Sequence, residues 1–102
     1  MKQYPIVWRP LAQADLFALY DWIAGQAGGT TAFDYTSKIE ATVSKLAEFP
    51  DRGTPRDDLI PGMRTIVYRR RTVIAYRVLA DAVEVLRIVH GGRDLGRMFS
   101  DE

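Results

Sequence analysis

The hydrophobic pattern between Met63 and Asp94 predicts three β-strands. Val, Ile and Tyr recur at every second position in three short runs, and polar breaks at residues 69–71 and 79–81 separate the runs. β-Branched and aromatic residues at this period, bounded by polar residues, are typical of strands joined by tight connections. We therefore predict an antiparallel three-stranded meander around which the rest of the chain is organised.

The second and third runs differ in the way their faces are built. In the second run one face carries Ile74, Tyr76 and Val78. In the third run both faces are largely apolar, which is typical of a central strand rather than an edge strand. Strict alternation in that run places four residues on one face: Glu84, Leu86, Ile88 and His90.

The first half of the chain predicts a short strand and then two helices. The strand runs from Tyr4 to Trp8, and Pro10 follows at a position that suits the first turn of a helix. Apolar residues then recur at helical spacing up to the glycines that end the helix, Gly28 and Gly29. The members of this stripe are Ala12, Leu16, Leu19, Tyr20 and Ile23.

A second helix is predicted after the glycines, with Thr30 or Thr31 as its N-cap and Pro50 beyond its end. Its apolar stripe is Ala32, Thr36, Ile39, Val43, Leu46 and Ala47. Two helices joined by a few residues form an antiparallel hairpin. Residues 51–62 are predicted to be a loop, and the tail 95–102 is too short for a helix of its own.

These elements predict an α+β fold in which the helix hairpin packs on one face of the meander. The length of 102 residues favours one domain, 1–102. The chain has no cysteine, no apolar leader and no apolar run of the length that a membrane span needs. We therefore expect a cytoplasmic protein without disulfides.

Charge is distributed unevenly although the net charge is only +1. Residues 1–50 carry four Lys and Arg against five Asp and Glu, whereas residues 63–97 carry eight Arg against three Asp and Glu. Arginine favours planar, bidentate contacts with carboxylate or phosphate groups. Two interpretations stay open, an anionic partner for the sheet half and a solvated strand surface.

Most kinds of catalytic or metal site are excluded by the residues present. One histidine without cysteine does not make a metal site, and no phosphate-binding or dinucleotide-binding motif occurs. We therefore expect no cofactor. The remaining candidate is a cluster at one end of the meander, in which arginine would stabilise a phosphate and His90 would transfer protons. Its members are Arg64, Arg87, His90 and Arg93.

The residues of this cluster also have an interpretation in which they stabilise the fold and take no part in catalysis. Arg87 interrupts an apolar stripe, and a charge in that position needs a partner. The available carboxylates are Asp15 or Asp21 on the first helix, or the neighbourhood of Glu84. A single histidine at a strand end is more often a hydrogen-bonded structural residue than a catalyst.

The order and spacing of several fragments resemble the ParE/RelE superfamily of toxin–antitoxin toxins over nearly the whole chain. These fragments are Ala12-x-x-Asp15-Leu16, Trp22-Ile23, Phe49-Pro50-x-x-Gly53, Gly62-Met63-Arg64, Ile74-Ala75-Tyr76-Arg77-Val78 and Val85-Leu86-Arg87-Ile88-Val89-His90-x-x-Arg93-Asp94. The chain looks most like the ParE branch, whose members are often labelled plasmid-stabilisation proteins.

The resemblance implies different activities for the two branches. RelE-like toxins cut mRNA on the ribosome with Lys or Arg and a terminal Tyr or His, whereas ParE-like toxins inhibit DNA gyrase and block replication. This chain has no lysine beyond Lys45 and has Phe99 where RelE-like toxins carry a terminal tyrosine. The ParE branch, a binding protein rather than an enzyme, is therefore favoured. His90 and Arg93 leave the ribonuclease open as the alternative.

The resemblance also implies a ParD-like antitoxin whose disordered tail folds onto the toxin in a hetero-oligomer. Nine residues are candidates for contacts with the antitoxin or the target: Trp22, Phe33, Tyr35, Arg69, Arg70, Arg71, Arg97, Met98 and Phe99. Core packing is the favoured alternative for Trp22, and a solvated turn is the alternative for the three consecutive arginines. A non-toxic relative that only binds an antitoxin is a further hypothesis.

Overall fold

The computed structural model describes residues 3–92 and 95–100. Its helices and strands follow one another in the order β1 Ile6–Trp8, α1 Pro10–Ala27, α2 Gly29–Ser44, β2 Thr54–Pro55, β3 Met63–Tyr68, β4 Thr72–Val78, β5 Val83–His90 and α3 Leu95–Ser100. Two short 3-10 turns, Lys45–Ala47 and Pro50–Arg52, lie between α2 and β2. No helix among these residues is long and apolar enough to cross a membrane.

The strands form one mixed sheet in the order β1-β5-β4-β3-β2. Strands β3, β4 and β5 pair antiparallel, so the predicted meander is confirmed, and β1 adds to it in parallel with β5. Strand β5 therefore lies between β1 and β4, as its two apolar faces predict. The whole is an α+β fold whose helix hairpin covers one face of the sheet.

The core lies between that hairpin and the sheet. The stripes of α1 and α2 bury Ala12, Leu19, Ile23, Ala32, Ile39 and Val43 against Ile74, Val85 and Ile88 of the sheet. A smaller cluster continues this core under the end of α2, where Leu46 packs with Tyr76 and Val83. Both predicted helical stripes and the predicted face of β4 are thus confirmed.

A β-bulge in β5 changes which of its residues share a face. Ala75 pairs with Arg87 but the next residue, Tyr76, pairs with Val85, so Leu86 has no partner in β4. The extra residue shifts the alternation by one position. The prediction that Glu84 shares a face with Ile88 was therefore wrong, and Val85 and Ile88 enter the same core cluster instead.

Three further expectations were wrong. Helix α2 begins at Gly29 with Gly28 as its N-cap and has no capping side chain, so neither Thr30 nor Thr31 caps it. Gly28 also ends α1, and its φ of 96° is a conformation that glycine adopts easily. The predicted loop contains β2, which pairs with β3, and the tail forms the six-residue helix α3.

Tyr76 fastens the segment before β2 to the sheet. Its hydroxyl donates a hydrogen bond to the Pro50 carbonyl at 2.7 Å and accepts one from the Gly53 amide at 2.9 Å. The approach is close enough that a Cβ atom on Gly53 would lie 2.6 Å from the Tyr76 hydroxyl. Burial raises the pKa of Tyr76, so the phenol stays protonated and keeps both bonds.

Replacing Tyr76 with Phe is expected to lower the free energy of unfolding by about 1–3 kcal/mol, because a buried carbonyl and a buried amide lose their partner. Urea unfolding at neutral pH measures this change. The matched control is Y68F, which removes a hydroxyl that accepts a hydrogen bond from the exposed side chain of Arg69. Equal losses in the two variants would contradict a special role for the Tyr76 hydroxyl.

Candidate functional site

A pocket opens where the second half of β5 passes beneath α1. Strand β1 pairs with β5 only as far as Trp8 and Val85, so beyond that point the helix lies beside β5 instead of a strand. The pocket has a volume of about 430 Å³. It is lined by Asp15, Ala18, Leu19, Trp22, Arg71, Ile88, His90 and Gly91.

Asp15 of α1 satisfies the edge of β5 at the base of this pocket. Its carboxylate accepts two hydrogen bonds from the Arg87 guanidinium, at 2.7 and 2.9 Å, and one from the Ile88 amide at 3.0 Å. The side chains of Arg87 and Asp15 are only 20% and 13% exposed. The Asp15 hydrogen bond also raises the pKa of Arg87, so the guanidinium remains charged.

His90 ends β5 inside a hydrogen-bonded aromatic group. Its Nδ1 lies 2.7 Å from the Thr72 hydroxyl, which in turn lies 2.8 Å from the Tyr35 hydroxyl. The rings of Trp22 and Tyr35 stand 5.7 and 6.0 Å from the imidazole, measured between centroids. Burial, and after it the charge of Arg71, lowers the pKa of His90, so the imidazole is neutral at pH 7.

Three exposed arginines form the turn between β3 and β4, which we call the arginine turn (residues 69–71). Arg69 and Arg70 have φ angles of 52° and 63°, a region that non-glycine residues enter at a cost. The guanidinium of Arg69 lies 5.6 Å from the Tyr68 ring centroid. The Gly91 amide donates to the Arg71 carbonyl at 2.9 Å, which fixes the turn beside the end of β5.

No carboxylate pairs with the arginine turn within residues 3–92 and 95–100. Five other arginines form ion pairs elsewhere: Arg9 and Arg77 both contact Glu84, Arg56 contacts Asp58, Arg64 contacts Asp51, and Arg87 contacts Asp15. The positive charge of the turn is therefore neutralised by no neighbour in the described structure.

The predicted Arg and His cluster is not gathered at one end of the meander. Arg64 pairs with Tyr76 near the start of β3, whereas His90 pairs with Thr72 at the other end of the sheet. The Arg64 guanidinium donates to the carbonyls of Asp51 and Gly53 at 2.8 and 2.7 Å. Arg93 lies outside the described residues. No metal-binding group of His and carboxylates occurs among the described residues.

The other candidate residues fall in three places. Trp22 is 53% exposed, so its assignment to the core was wrong, and Phe33 on α2 is exposed as well. Tyr35 faces the sheet, where its ring meets the edge of Tyr68 at 5.2 Å. In α3, Met98 and Phe99 line a second pocket of about 390 Å³ with Arg9, Pro10, Leu11, Leu86 and Arg87, and Arg97 is exposed.

Sequence reasoning missed Thr72, which bridges Tyr35 to His90, and the small residues Ala18 and Gly91 at the pocket. Alternation does place Thr72 on the face of Ile74 and Tyr76, and a hydroxyl on a buried face requires a partner. That signal was available. No local signal distinguishes Ala18 or Gly91 from other small residues.

The fold and the pattern of residues are shared with toxins of toxin–antitoxin systems. A family model for the ParE toxin of the type II parDE system matches residues 6–95. Toxin ParE1 of Caulobacter vibrioides is 33% identical over 90 residues, which is 88% of this chain and 90% of that protein. Toxin ParE3 of the same organism is 32% identical over 87 residues, or 85% of each chain.

Solved structures agree with this assignment. A chain from the chromosomal ParDE system of P. aeruginosa superposes with a TM-score of 0.77 at 28% identity, over 87% of this chain and 97% of that one. The RelBE2 toxin–antitoxin complex of Mycobacterium tuberculosis shares the fold, with a TM-score of 0.60 at 22% identity over 86% and 98% of the chains. The fold is that of the ParE/RelE superfamily. Within that superfamily, the chain belongs to the ParE toxin family of type II toxin–antitoxin systems.

Replacing Arg70 with Gly is expected to raise the free energy of unfolding by about 1 kcal/mol, because glycine adopts the φ of 63° without strain. Thermal unfolding followed by circular dichroism measures the change. The control is R52G, since Arg52 is an exposed arginine that lies outside the left-handed region. A stability that falls in R70G as far as in R52G would contradict strain at Arg70.

The lowered pKa of His90 predicts a pH dependence of stability. Because protonation favours the unfolded state, the His90 contribution is lost as the pH falls below the unfolded value of about 6.5, and the loss levels off below the folded pKa. Urea unfolding at about pH 7.5 and 5.5 should show a larger loss in the wild type than in H90Q. The same loss in both proteins would contradict this prediction.

Proposed function

We propose that this toxin inhibits DNA gyrase, blocks replication in the cytoplasm and is neutralised by a ParD-like antitoxin. The observation that carries the proposal is the match to the ParE toxin family over residues 6–95. It is supported by the similarity to a chain of the P. aeruginosa ParDE system. Gyrase is the target that the ParE resemblance implies, and the antitoxin follows from the same resemblance.

The hydrogen bonds of the residues that were candidates for ribonuclease catalysis favour a binding protein over a nuclease. Arg87 is held by both oxygens of Asp15, and Arg64 is held by two backbone carbonyls at the other end of the sheet. His90 hydrogen-bonds to Thr72, and its lowered pKa disfavours the imidazolium form that would act as a general acid at neutral pH. A nuclease of the RelE type would need these groups free and close to one phosphate.

For the antitoxin, the pocket beneath α1 is the surface we propose. It offers apolar carbon from Ala18, Leu19 and Trp22, and Arg71 stands at its edge. An acidic tail with apolar anchors would bury those anchors in the pocket and bring its carboxylates to the arginine turn. Phe33, exposed on α2, is a further candidate contact.

For gyrase, α3 is the surface we propose, with Arg97, Met98 and Phe99 as the contacts. The helix lies at the second pocket, next to the start of α1 and the bulge of β5, and so on a different surface from the arginine turn. Separate surfaces allow the antitoxin and target contacts to be tested by separate variants.

Controlled induction in a bacterial host, with labelled thymidine and labelled methionine followed over the first minutes, tests the proposed function. We expect DNA synthesis to fall first while translation continues, and purified toxin to inhibit supercoiling by gyrase. Removal of residues 97–102 should abolish both effects, because it removes most of α3, whereas H90A should retain them. The point variant F99A keeps the backbone of α3 and should weaken inhibition severalfold.

An early fall in translation that H90A relieves would overturn the gyrase proposal in favour of the RelE-like ribonuclease. Full toxicity of the truncated chain would exclude α3 as the target surface. If neither synthesis falls although the protein is folded and expressed, the chain is a non-toxic relative that only binds an antitoxin.

A further inference from the structure

One residue of the arginine turn, Arg71, stands at the same pocket as Trp22. Arg71 and Trp22 both line it, from the sheet and from α1 respectively, with His90 and Gly91 between them. Trp22 is 53% exposed, and the centroid of its indole lies 5.7 Å from that of the His90 ring. Arg71 of the arginine turn and an aromatic ring that is open to solvent therefore line the same pocket.

Three positive charges are concentrated at this surface. Arg69, Arg70 and Arg71 are all exposed, and none contacts a carboxylate within the described parts of the chain, residues 3–92 and 95–100. His90 adds no positive charge at neutral pH, and Asp15 at the base of the pocket is engaged by Arg87 and by the Ile88 amide.

Folding does not explain why arginine occupies this turn. Two of the three residues hold positive φ angles, 52° and 63°, where Asn and Gly would fit without strain. Tyr68 orders Arg69 by accepting a hydrogen bond from its Nε at 3.1 Å and by presenting its ring to the guanidinium. The turn thus keeps three arginines at a conformational cost and positions at least one of them.

We propose that this surface binds a single-stranded segment of nucleic acid. The arginine turn contacts successive phosphates, and one base stacks on Trp22 in the pocket of about 430 Å³. Guanidinium groups recognise phosphate, and an exposed aromatic ring beside them is the combination that favours unpaired bases over duplex. The inference does not depend on gyrase, and it shares only its surface with the proposed antitoxin contact.

The experiment is fluorescence anisotropy of the purified full chain with labelled oligothymidylate and oligouridylate of about ten nucleotides, within the range that small single-strand sites cover. We expect saturable binding whose logarithmic salt dependence has a slope of about −2, as for about three phosphate contacts on a single strand. Stronger binding of the DNA or of the RNA would identify the natural class, and binding of either supports the proposal.

Paired variants separate stacking from charge. W22A should lower the affinity about tenfold, the effect of losing one stacked base, whereas F17A on the same helix should not, because Phe17 is 72% exposed but lies at a different pocket. R71E should lower the affinity at least tenfold and reduce the salt slope, whereas R52E should not. R70G should weaken binding although the variant is folded and stabilised, so that loss of structure cannot explain the result.

Three results would overturn the proposal. Equal or tighter binding of the matching duplex would mean that no unpaired base is read. Binding of polyglutamate together with no binding of either oligonucleotide would restrict the surface to acidic protein segments such as the proposed antitoxin tail. Equal effects of W22A and F17A, or of R71E and R52E, would reduce the binding to diffuse charge attraction. Inhibition of gyrase measured in the same variants reports separately on the proposed function.

Discussion

One carboxylate, that of Asp15, determines how the helix hairpin and the sheet meet. Strand β5 extends beyond the end of its neighbour β1. The backbone polar groups of β5 beyond Val85 therefore need a hydrogen-bond partner on that side. Asp15 provides it by accepting the Ile88 amide and both donors of Arg87. Charge-assisted bonds of this kind are about twice as strong as neutral ones. They fix α1 across β5, and the pocket is the space that this crossing leaves.

The arginines discussed above fall into two groups, according to whether the fold binds their side chains. Those that the fold uses are bound at short distance: Arg87 to Asp15, Arg9 and Arg77 to the buried Glu84, and Arg64 to backbone carbonyls. In the described parts of the chain no carboxylate pairs with the arginine turn, although two of its residues occupy strained backbone positions. Exposed charges that occupy strained backbone positions are the ones to which we assign a binding role.

The sequence predicted what depends on local periodicity. The stripes of α1 and α2 and the alternation of β4 follow from repeats of three to four and of two residues, and Asp15 was among the few carboxylates available to Arg87. Strand β2 and helix α3 were missed because two and six residues have little structure of their own, and tertiary contacts stabilise them.

The error over Arg64 was of a different kind. An antiparallel meander necessarily places the start of its first strand and the end of its third strand at opposite ends, so the predicted topology already separated Arg64 from His90. For Trp22, in contrast, the sequence did not contain the information that was needed. Its position beside the core stripe does not reveal that β1 ends early and leaves this part of α1 open to solvent.

The bulge at Leu86 bears on how chain length varies among relatives. Because Leu86 has no partner in β4, a chain that lacked this one residue would form a regular ladder and would still direct Ile88 and His90 toward the helices. If one residue were lost elsewhere in β5, every later side chain of the strand would move to the opposite face of the sheet. A one-residue gap at this position in a related toxin is therefore compatible with an unchanged pocket, whereas the same gap two residues later is not.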